Sequence, residues 1–341
     1  MLQRCAAALL QALVTSVGGA ARGPPCADCS FNGQCTTSGC DCEPGWGGAD
    51  CHELRLLPAA PPGEQAFCHF NDSTWGGTVL RDGGGVYHLW FSEMSNNCSL
   101  KLYGTVSRIV HATAASPAGP FTRESVALPV FGHNPQAVRA PDGTFLLYHI
   151  GATVDPSCVP DCRAAPANHS VPGCTSKGHG TSIAFSRSPY GPWTRIDYVL
   201  PKYTNPSPYI FPNGTVLLAA RTNEGITEGS HERIHILRAD SWRGPYDHLS
   251  TVGKYEDPFL WRGASGHFHM LSHDRDSANF FNDRCGFLCV LWLFFVFRSI
   301  SLNLGTAADC GTQPMVHIFN LVFHPQLRFV VLCSHGFCYN K

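Results

Sequence analysis

Ser188-Pro189-Tyr190-Gly191-Pro192-Trp193, then Asn205-Pro206, then Asn213-Gly214-Thr215-Val216-Leu217-Leu218-Ala219, is the stretch on which the fold turns, because it occurs three times. The copy before it runs Ser116-Pro117-Ala118-Gly119-Pro120-Phe121, Asn134-Pro135 and Asp142-Gly143-Thr144-Phe145-Leu146-Leu147-Tyr148. The copy after it runs Ser241-Trp242-Arg243-Gly244-Pro245-Tyr246, Asp257-Pro258 and Ser265-Gly266-His267-Phe268-His269-Met270-Leu271. In each copy 14 residues separate the Asn or Asp from the last strand residue, Tyr148, Ala219 or Leu271. The copies are 71 and then 52 residues apart, and an insertion within 151–180 that holds Cys158, Cys162 and Cys174 accounts for the difference. A divergent earlier copy is Trp75-Gly76-Gly77-Thr78-Val79-Leu80-Arg81, followed by Asp82–Gly85 and Val86–Phe91. Repeats of about 50 residues, each with several strands punctuated by Gly-Pro and Asp/Asn-Gly turns, are the signature of β-propeller blades. Their strands read as apolar runs, as expected where neighbouring blades cover both faces.

The chain has 341 residues, of which only 14% are charged, against roughly 25% in an average globular chain. With 34 Gly and 25 Pro, this composition excludes coiled coils, long surface helices and charge-rich disorder. A net charge of −1 without a basic block excludes a nucleic-acid partner. A hydrophobic content of 44% is enough for a sizeable core.

Residues 1–21 read as a secretory signal: Arg4 is the only charge before a weakly apolar stretch that ends in small residues at Gly18–Ala21. Four Asn-x-Ser/Thr sequons, at Asn71, Asn97, Asn168 and Asn213, and 17 cysteines agree with an exported chain in an oxidising compartment. The expected location is secreted. The alternative is membrane association through 285–297, a run of 13 apolar residues bounded by Arg284 and Arg298. As a helix that run reaches about 20 Å, short of the roughly 30 Å of a bilayer core.

Residues 26–51 hold six cysteines, Cys26, Cys29, Cys35, Cys40, Cys42 and Cys51. So short a segment cannot bury a stabilising core, and crosslinks must restrict its unfolded state instead. Six cysteines allow fifteen pairings. Zinc is the competing reading of such a cluster, but there is no His partner and the compartment is oxidising. Cys40-Asp41-Cys42-Glu43-Pro44-Gly45-Trp46-Gly47-Gly48 ending in Cys51, with Cys29-Ser30-Phe31-Asn32-Gly33-Gln34-Cys35 before it, resembles an epidermal-growth-factor-like module of the compact type found in tenascins. The resemblance implies the pairs Cys26–Cys35, Cys29–Cys40 and Cys42–Cys51. It implies no calcium, because Gly23-Pro24-Pro25 stands where such modules carry their acidic calcium ligands. No metal and no cofactor are expected elsewhere; His267 and His269 alternate on one strand face, but spacing fixes no third ligand.

An Ala/Pro linker covers 52–66, and from about Phe67 to Asn282 the chain resembles the five-bladed propellers of glycoside hydrolase family 43 and its relatives. The residues that carry this are Trp75-Gly76-Gly77, His111-Ala112-Thr113, His133-Asn134-Pro135, Asn205-Pro206-Ser207-Pro208 and Tyr255-Glu256-Asp257-Pro258-Phe259-Leu260-Trp261. The resemblance implies a sugar site at the mouth of a central funnel, where the Asn/Asp-Pro position starts the innermost strand of each blade. It also implies chemistry through three carboxylates, two Asp and a Glu. At the first three mouth positions this chain has Gly76, Asn134 and Asn205, none of which exchanges a proton usefully; Glu256 and Asp257 remain in the fourth. The expected sugar-binding residues are Trp75, His133, Asn134, Asn205, Arg221, Glu256 and Asp257, with Glu256, Asp257 and Glu93 as the catalytic candidates. Asp72, Glu224, Glu228, Glu232, Asp274 and Asp276 are further carboxylates near the mouth in this alignment, most simply read as solvated loop charges. Asn before Pro is also a turn initiator, and Trp75 also suits packing between blades.

The expected architecture is therefore mainly β: a propeller over 67–283, counted as about four of five blades, behind a small disulfide module. The tail 284–341 shows no repeat and reads as a truncated or misread end of the gene. Two functions remain open: a sugar-binding or glycosidase-like protein, and an adhesion or matrix protein in which both modules make protein contacts.

Overall fold

The computed structural model describes residues 26, 28–55, 73–96, 98–162, 180–222, 233–253 and 255–274, with strands at 288–293, 299–303, 321–324 and 327–331. The signal, Asn71, Asp72, Asn97, Asn168, Cys68, Cys174, Glu224, Glu228, Glu232 and Asp276 lie outside the described residues.

The N-terminal module consists of two short hairpins, β1 (Gly33–Thr36) with β2 (Gly39–Cys42), and β3 (Trp46–Gly47) with β4 (Glu53–Leu54). Its disulfides are Cys26–Cys35, Cys29–Cys40 and Cys42–Cys51, the pairing expected from the resemblance. The Cys26, Cys29 and Cys40 sulfurs lie within 4.8 Å of one another. As members of disulfides they are not the thiolates that a zinc site needs.

Four antiparallel four-stranded meanders follow. The first blade is β5 (Thr74–Arg81), β6 (Tyr87–Met94), β7 (Ser107–Ala114) and β8 (Thr122–Leu128). The second is β9 (His133–Arg139), β10 (Phe145–Ile150), β11 (Thr181–Ser186) and β12 (Thr194–Leu200). The third is β13 (Tyr203–Ile210), β14 (Val216–Thr222), β15 (Ile234–Ala239) and β16 (Asp247–Gly253). The fourth is β17 (Tyr255–Arg262), β18 (Phe268–Asp274), β19 (Leu288–Leu293) and β20 (Ser299–Asn303). The innermost strands β5, β9, β13 and β17 lie side by side, so the protein is a β-propeller. A separate hairpin joins β21 (Leu321–His324) to β22 (Leu327–Val331).

Beyond the boundary expected at 283 the fourth sheet continues: within the apolar run 285–297, β19 pairs with β18 through His269↔Leu293 to His273↔Cys289, and β20 completes the sheet. A short apolar run is as consistent with a strand covered on both faces as with a helix, and periodicity cannot tell them apart. Among the described residues no helix is long and apolar enough to cross a membrane.

The repeated motifs do two local jobs. Asp/Asn/Ser-Gly closes the turn between the first two strands of blades two to four, where Gly143, Gly214 and Gly266 have φ of 86° to 91°; only glycine takes that conformation without steric cost. Ser-x-x-Gly-Pro-aromatic links the third strand to the fourth, each time with a cis Gly-Pro bond, at Pro120, Pro192 and Pro245. The aromatic ring that follows reaches the preceding blade. Trp193 meets Trp90 edge-on at 6.0 Å, and the Tyr246 hydroxyl lies 3.0 Å from that of Tyr148. Buried side chains thus form one cluster per blade junction: Trp90, Ile109 and Leu128 with Phe145 and Leu147 between blades one and two, Tyr148 and Ile183 with Leu218 and Leu237 between two and three, and Ala219, Ile234 and Ile236 with Leu260 and Met270 between three and four.

A fourth disulfide, Cys98–Cys162, ties the loop after β6 to the start of the insertion that follows β10, with Asn96 Nδ2 donating to the Pro160 carbonyl at 3.1 Å. Cys158 is disulfide-bonded as well.

Candidate functional site

Gly76, Asn134, Asn205 and Asp257 occupy the same place in four successive inner strands, and all four have left-handed backbone, with φ of 56°, 48°, 50° and 48°. Each sits at a bulge: the register shifts between Trp75 and Thr78, between Tyr148 and Ile150 opposite residues 134–135, between Thr204 and Ser207, and between Glu256 and Phe259. A left-handed bulge residue is Gly, or Asn or Asp, whose short polar side chains tolerate it. The repeated Asn/Asp-Pro is therefore first a backbone device. It also re-aims the side chain out of the ladder and into the mouth.

There the side chains converge. Asn134 Nδ2 donates to Asp257 Oδ1 at 2.7 Å, and Asn205 Nδ2 donates to the same oxygen. The strands beneath are locked together by further side chains: Ser92 Oγ accepts from the Asn134 N–H at 2.9 Å, Thr78 Oγ1 donates to the Pro135 carbonyl at 3.0 Å, and Ser207 Oγ accepts from the Leu260 N–H at 2.8 Å. Gly76 contributes no side chain, and a Cβ there would stand 2.6 Å from Asn134 Oδ1. The first-blade position has been given over to the second blade's amide.

Above this floor is a depression of about 370 Å³ of empty space, open to solvent, walled by Trp75 and Phe259 with Pro206 and Pro258, and with Gln136 beside Asn134. Trp75 is braced from behind by the cluster of Met94, Cys98 and Val106 together with Leu100, Leu102, Val159 and Cys162, the two loops that Cys98–Cys162 joins. The mouth thus combines amide donors and acceptors, one carboxylate and aromatic walls. This is the chemistry of a hydroxyl-rich ligand with apolar faces.

Of the residues expected in the site, the depression gathers Trp75, Asn134, Asn205 and Asp257. It does not gather Glu93, His133, Arg221 or Glu256. Glu93 is buried, and its carboxylate is held by Arg108 at 2.5 Å and Arg123 at 3.2 Å. A carboxylate engaged by two guanidinium groups is turned toward them and away from the depression. His133 is buried, with Nδ1 2.9 Å from Ser107 Oγ and its ring against Tyr103 at 4.7 Å. Arg221 on β14 donates to Glu256 Oε1 on β17 at 2.7 Å, an ion pair across the junction of blades three and four. Asp274 ends β18. His267 meets Phe31 of the module at 4.8 Å, and His269 is buried between Trp46 and Trp261.

Gln136 and Phe259 were missed by the sequence reading. Each lies two residues beyond a mouth position, Asn134 or Asp257, but the bulge at that position breaks the strand period that would have pointed to them.

Blades around a polar, aromatic-walled mouth define a β-propeller with a candidate small-molecule site, and solved structures of similar course exist. Zg3597, a family 117 glycoside hydrolase from Zobellia galactanivorans, is 13% identical with a TM-score of 0.47, covering 73% of this chain and 74% of that one. A thermostable family-43 glycoside hydrolase is 12% identical with a TM-score of 0.45, covering 69% and 73%. An endo-1,4-beta-xylanase from Bacteroides thetaiotaomicron is 15% identical with a TM-score of 0.45, covering 69% and 81%. No protein-family model and no curated protein matches the sequence. At this degree of likeness, the chemistry of the mouth rests on its own residues.

Proposed function

We propose that the chain is an extracellular sugar-binding protein of glycosidase-like architecture, with the ligand seated on the Asn134–Asp257–Asn205 floor between Trp75 and Phe259. The observation that carries this is the floor itself: two amides share one carboxylate oxygen and leave their own carbonyl oxygens to meet hydroxyl groups, while the walls suit the apolar face of a sugar ring. Hydrolysis by the usual pair of carboxyl groups, set about 6.5–9.5 Å apart with one protonated, is not the reading favoured here. Among the described residues Asp257 is the only carboxylate lining the depression. Export is supported by the disulfides, by the sequons and by the N-terminal stretch. The first-to-third, second-to-fourth, fifth-to-sixth pairing supports an epidermal-growth-factor-like module.

The test is a glycan array probed with the folded, secreted protein and with Asn134→Ala and Asp257→Asn. Binding of a saccharide class that both variants lose is the expected result. Absence of saccharide binding by the folded protein would eliminate the reading in favour of protein contacts. Release of reducing sugar that vanishes in Glu256→Gln and Asp257→Asn would instead restore a hydrolase.

A further inference from the structure

Three of the blade junctions are filled by the neighbouring blade. The outer face of the fourth blade, away from blade three, is filled differently. Leu260 and Met270 point to blade three, so by strand alternation Phe259, Trp261, His269 and Leu271 point the other way. Those side chains pack against Trp46, Leu54, Cys29 and Cys51 of the N-terminal module. The module stands where the next blade would stand.

The contact has a polar fastening as well as an apolar core. The Glu43 carboxylate accepts from the backbone N–H groups of Ala264 at 3.0 Å and Ser265 at 2.5 Å, and Ser265 Oγ donates to the Phe31 carbonyl at 2.9 Å. Gly263 leaves the room for this, since a Cβ there would lie 3.0 Å from His269 Nε2 and 3.1 Å from Glu43 Oε2. Phe259 belongs to both neighbourhoods. It is a wall of the depression and packs against the module's cluster, and Asp257 lies two residues before it on the same strand.

We propose that the module is a positioning element of the depression: by taking the place of a neighbouring blade on β17, it fixes Phe259 and Asp257 at the mouth. A spacer needs no such face, and an adhesive module would keep Trp46 for its partner. The proposal goes beyond the sugar-binding reading and holds whatever the depression binds.

The test is hydrogen exchange by mass spectrometry on the full chain, comparing residues 255–262 with the equivalent strand 203–210. Glu43→Ala removes two charge-assisted hydrogen bonds, and exchange in 255–262 is expected to rise by about tenfold or more while 203–210 stays unchanged. Glu43→Gln, which keeps an acceptor oxygen, is expected to recover part of the protection. Unchanged exchange in 255–262, or an equal rise in both strands, would overturn the proposal. Should Glu43→Ala fail to fold, a protease recognition sequence placed between residues 58 and 63 of the otherwise native chain replaces it. After cleavage, a module that stays with the propeller and leaves 255–262 protected supports the proposal, as does one that leaves and unprotects 255–262 alone. A module that leaves with no change in 255–262 overturns it.

Discussion

The junction between blades one and two and the junction between blade four and the module solve the same problem with unrelated partners. In the first, His111 stacks on Trp90 at 5.1 Å and on His88 at 5.1 Å, with Tyr190 of the next blade edge-on at 5.2 Å. In the second, His269 stacks on Trp261 at 5.1 Å and lies against Trp46 at 5.2 Å. Both imidazoles are fully buried, and burial drives each down to about 4, with His88 adding to the effect at His111 and Glu43 opposing it at His269. The difference lies in the polar atoms. His111 Nε2 has a partner in His88 Nδ1 at 2.9 Å, and His88 Nε2 in turn lies 3.3 Å from Asp82. Among the described residues neither ring nitrogen of His269 has a hydrogen-bond partner. The junction between blades one and two holds two imidazoles in hydrogen-bond contact within its aromatic stack, whereas the module covers blade four with apolar side chains and fastens itself at the rim through Glu43.

The largest expected effect comes from removing the two indoles in parallel. Trp90→Ala and Trp46→Ala each delete a buried aromatic side chain, at a cost of about 3–5 kcal/mol. In urea denaturation followed by fluorescence and hydrogen exchange, Trp90→Ala should lower one cooperative transition of the propeller. Trp46→Ala should split off an earlier transition confined to the module and residues 255–274. A single common shift in both would mean that module and blades form one cooperative unit.

Next in size is the response to acid. His111 and His269 are neutral in the folded protein down to about 4 and take up a proton below about 6.5 when unfolded. Between those values the unfolded state holds more protons, so stability is intact above about 6.5 and falls as the pH drops toward 4. His149, buried and lowered to about 3, adds to the same slope from blade two. Denaturation midpoints measured from pH 7 to 4 should fall, and His269→Phe should flatten the part of the slope read out by exchange in 255–274 while leaving the part read out in blade one.

Gly76→Ala tests the mouth from the first-blade side. It combines a φ of 56° with a Cβ 2.6 Å from Asn134 Oδ1, and should cost about 1–3 kcal/mol and weaken whatever binding Asn134→Ala weakens. The smallest effect belongs to Tyr246→Phe, which removes the 3.0 Å hydroxyl contact across blades two and three for about 1 kcal/mol in thermal unfolding.

Much of this was legible in the chain. The three Gly-Pro-aromatic copies and the Asn/Asp-Pro spacing located three blades by turn chemistry alone, because a left-handed bulge and a glycine turn each admit few residue types. The divergent Trp75–Arg81 copy yielded the fourth. Asn134, Asn205 and Asp257 were expected at the mouth from the family resemblance that the repeated Asn/Asp-Pro carries. Glu93, Arg221 and Glu256 were not separable from them, because a carboxylate facing a funnel and one facing an arginine on the next strand read identically in sequence. The apolar run 285–297 shows no repeat motif and reads as part of an aberrant tail; the strand within it, 288–293, is defined by its pairing with β18.

Local backbone chemistry, then, was determined by the sequence: where the Gly-Pro and Asp/Asn-Gly turns fall and how the blades repeat, while the cysteine pairing and the mouth positions were what the family resemblances implied. Tertiary structure alone decided which of those mouth residues meet. It gave the first position to the second blade's amide, drew two asparagines onto one aspartate, and set the cystine module against the free face of blade four. The physical reason is range. Turn preferences act over four or five residues, whereas a shared oxygen or a covered indole depends on segments 52 to more than 200 residues apart.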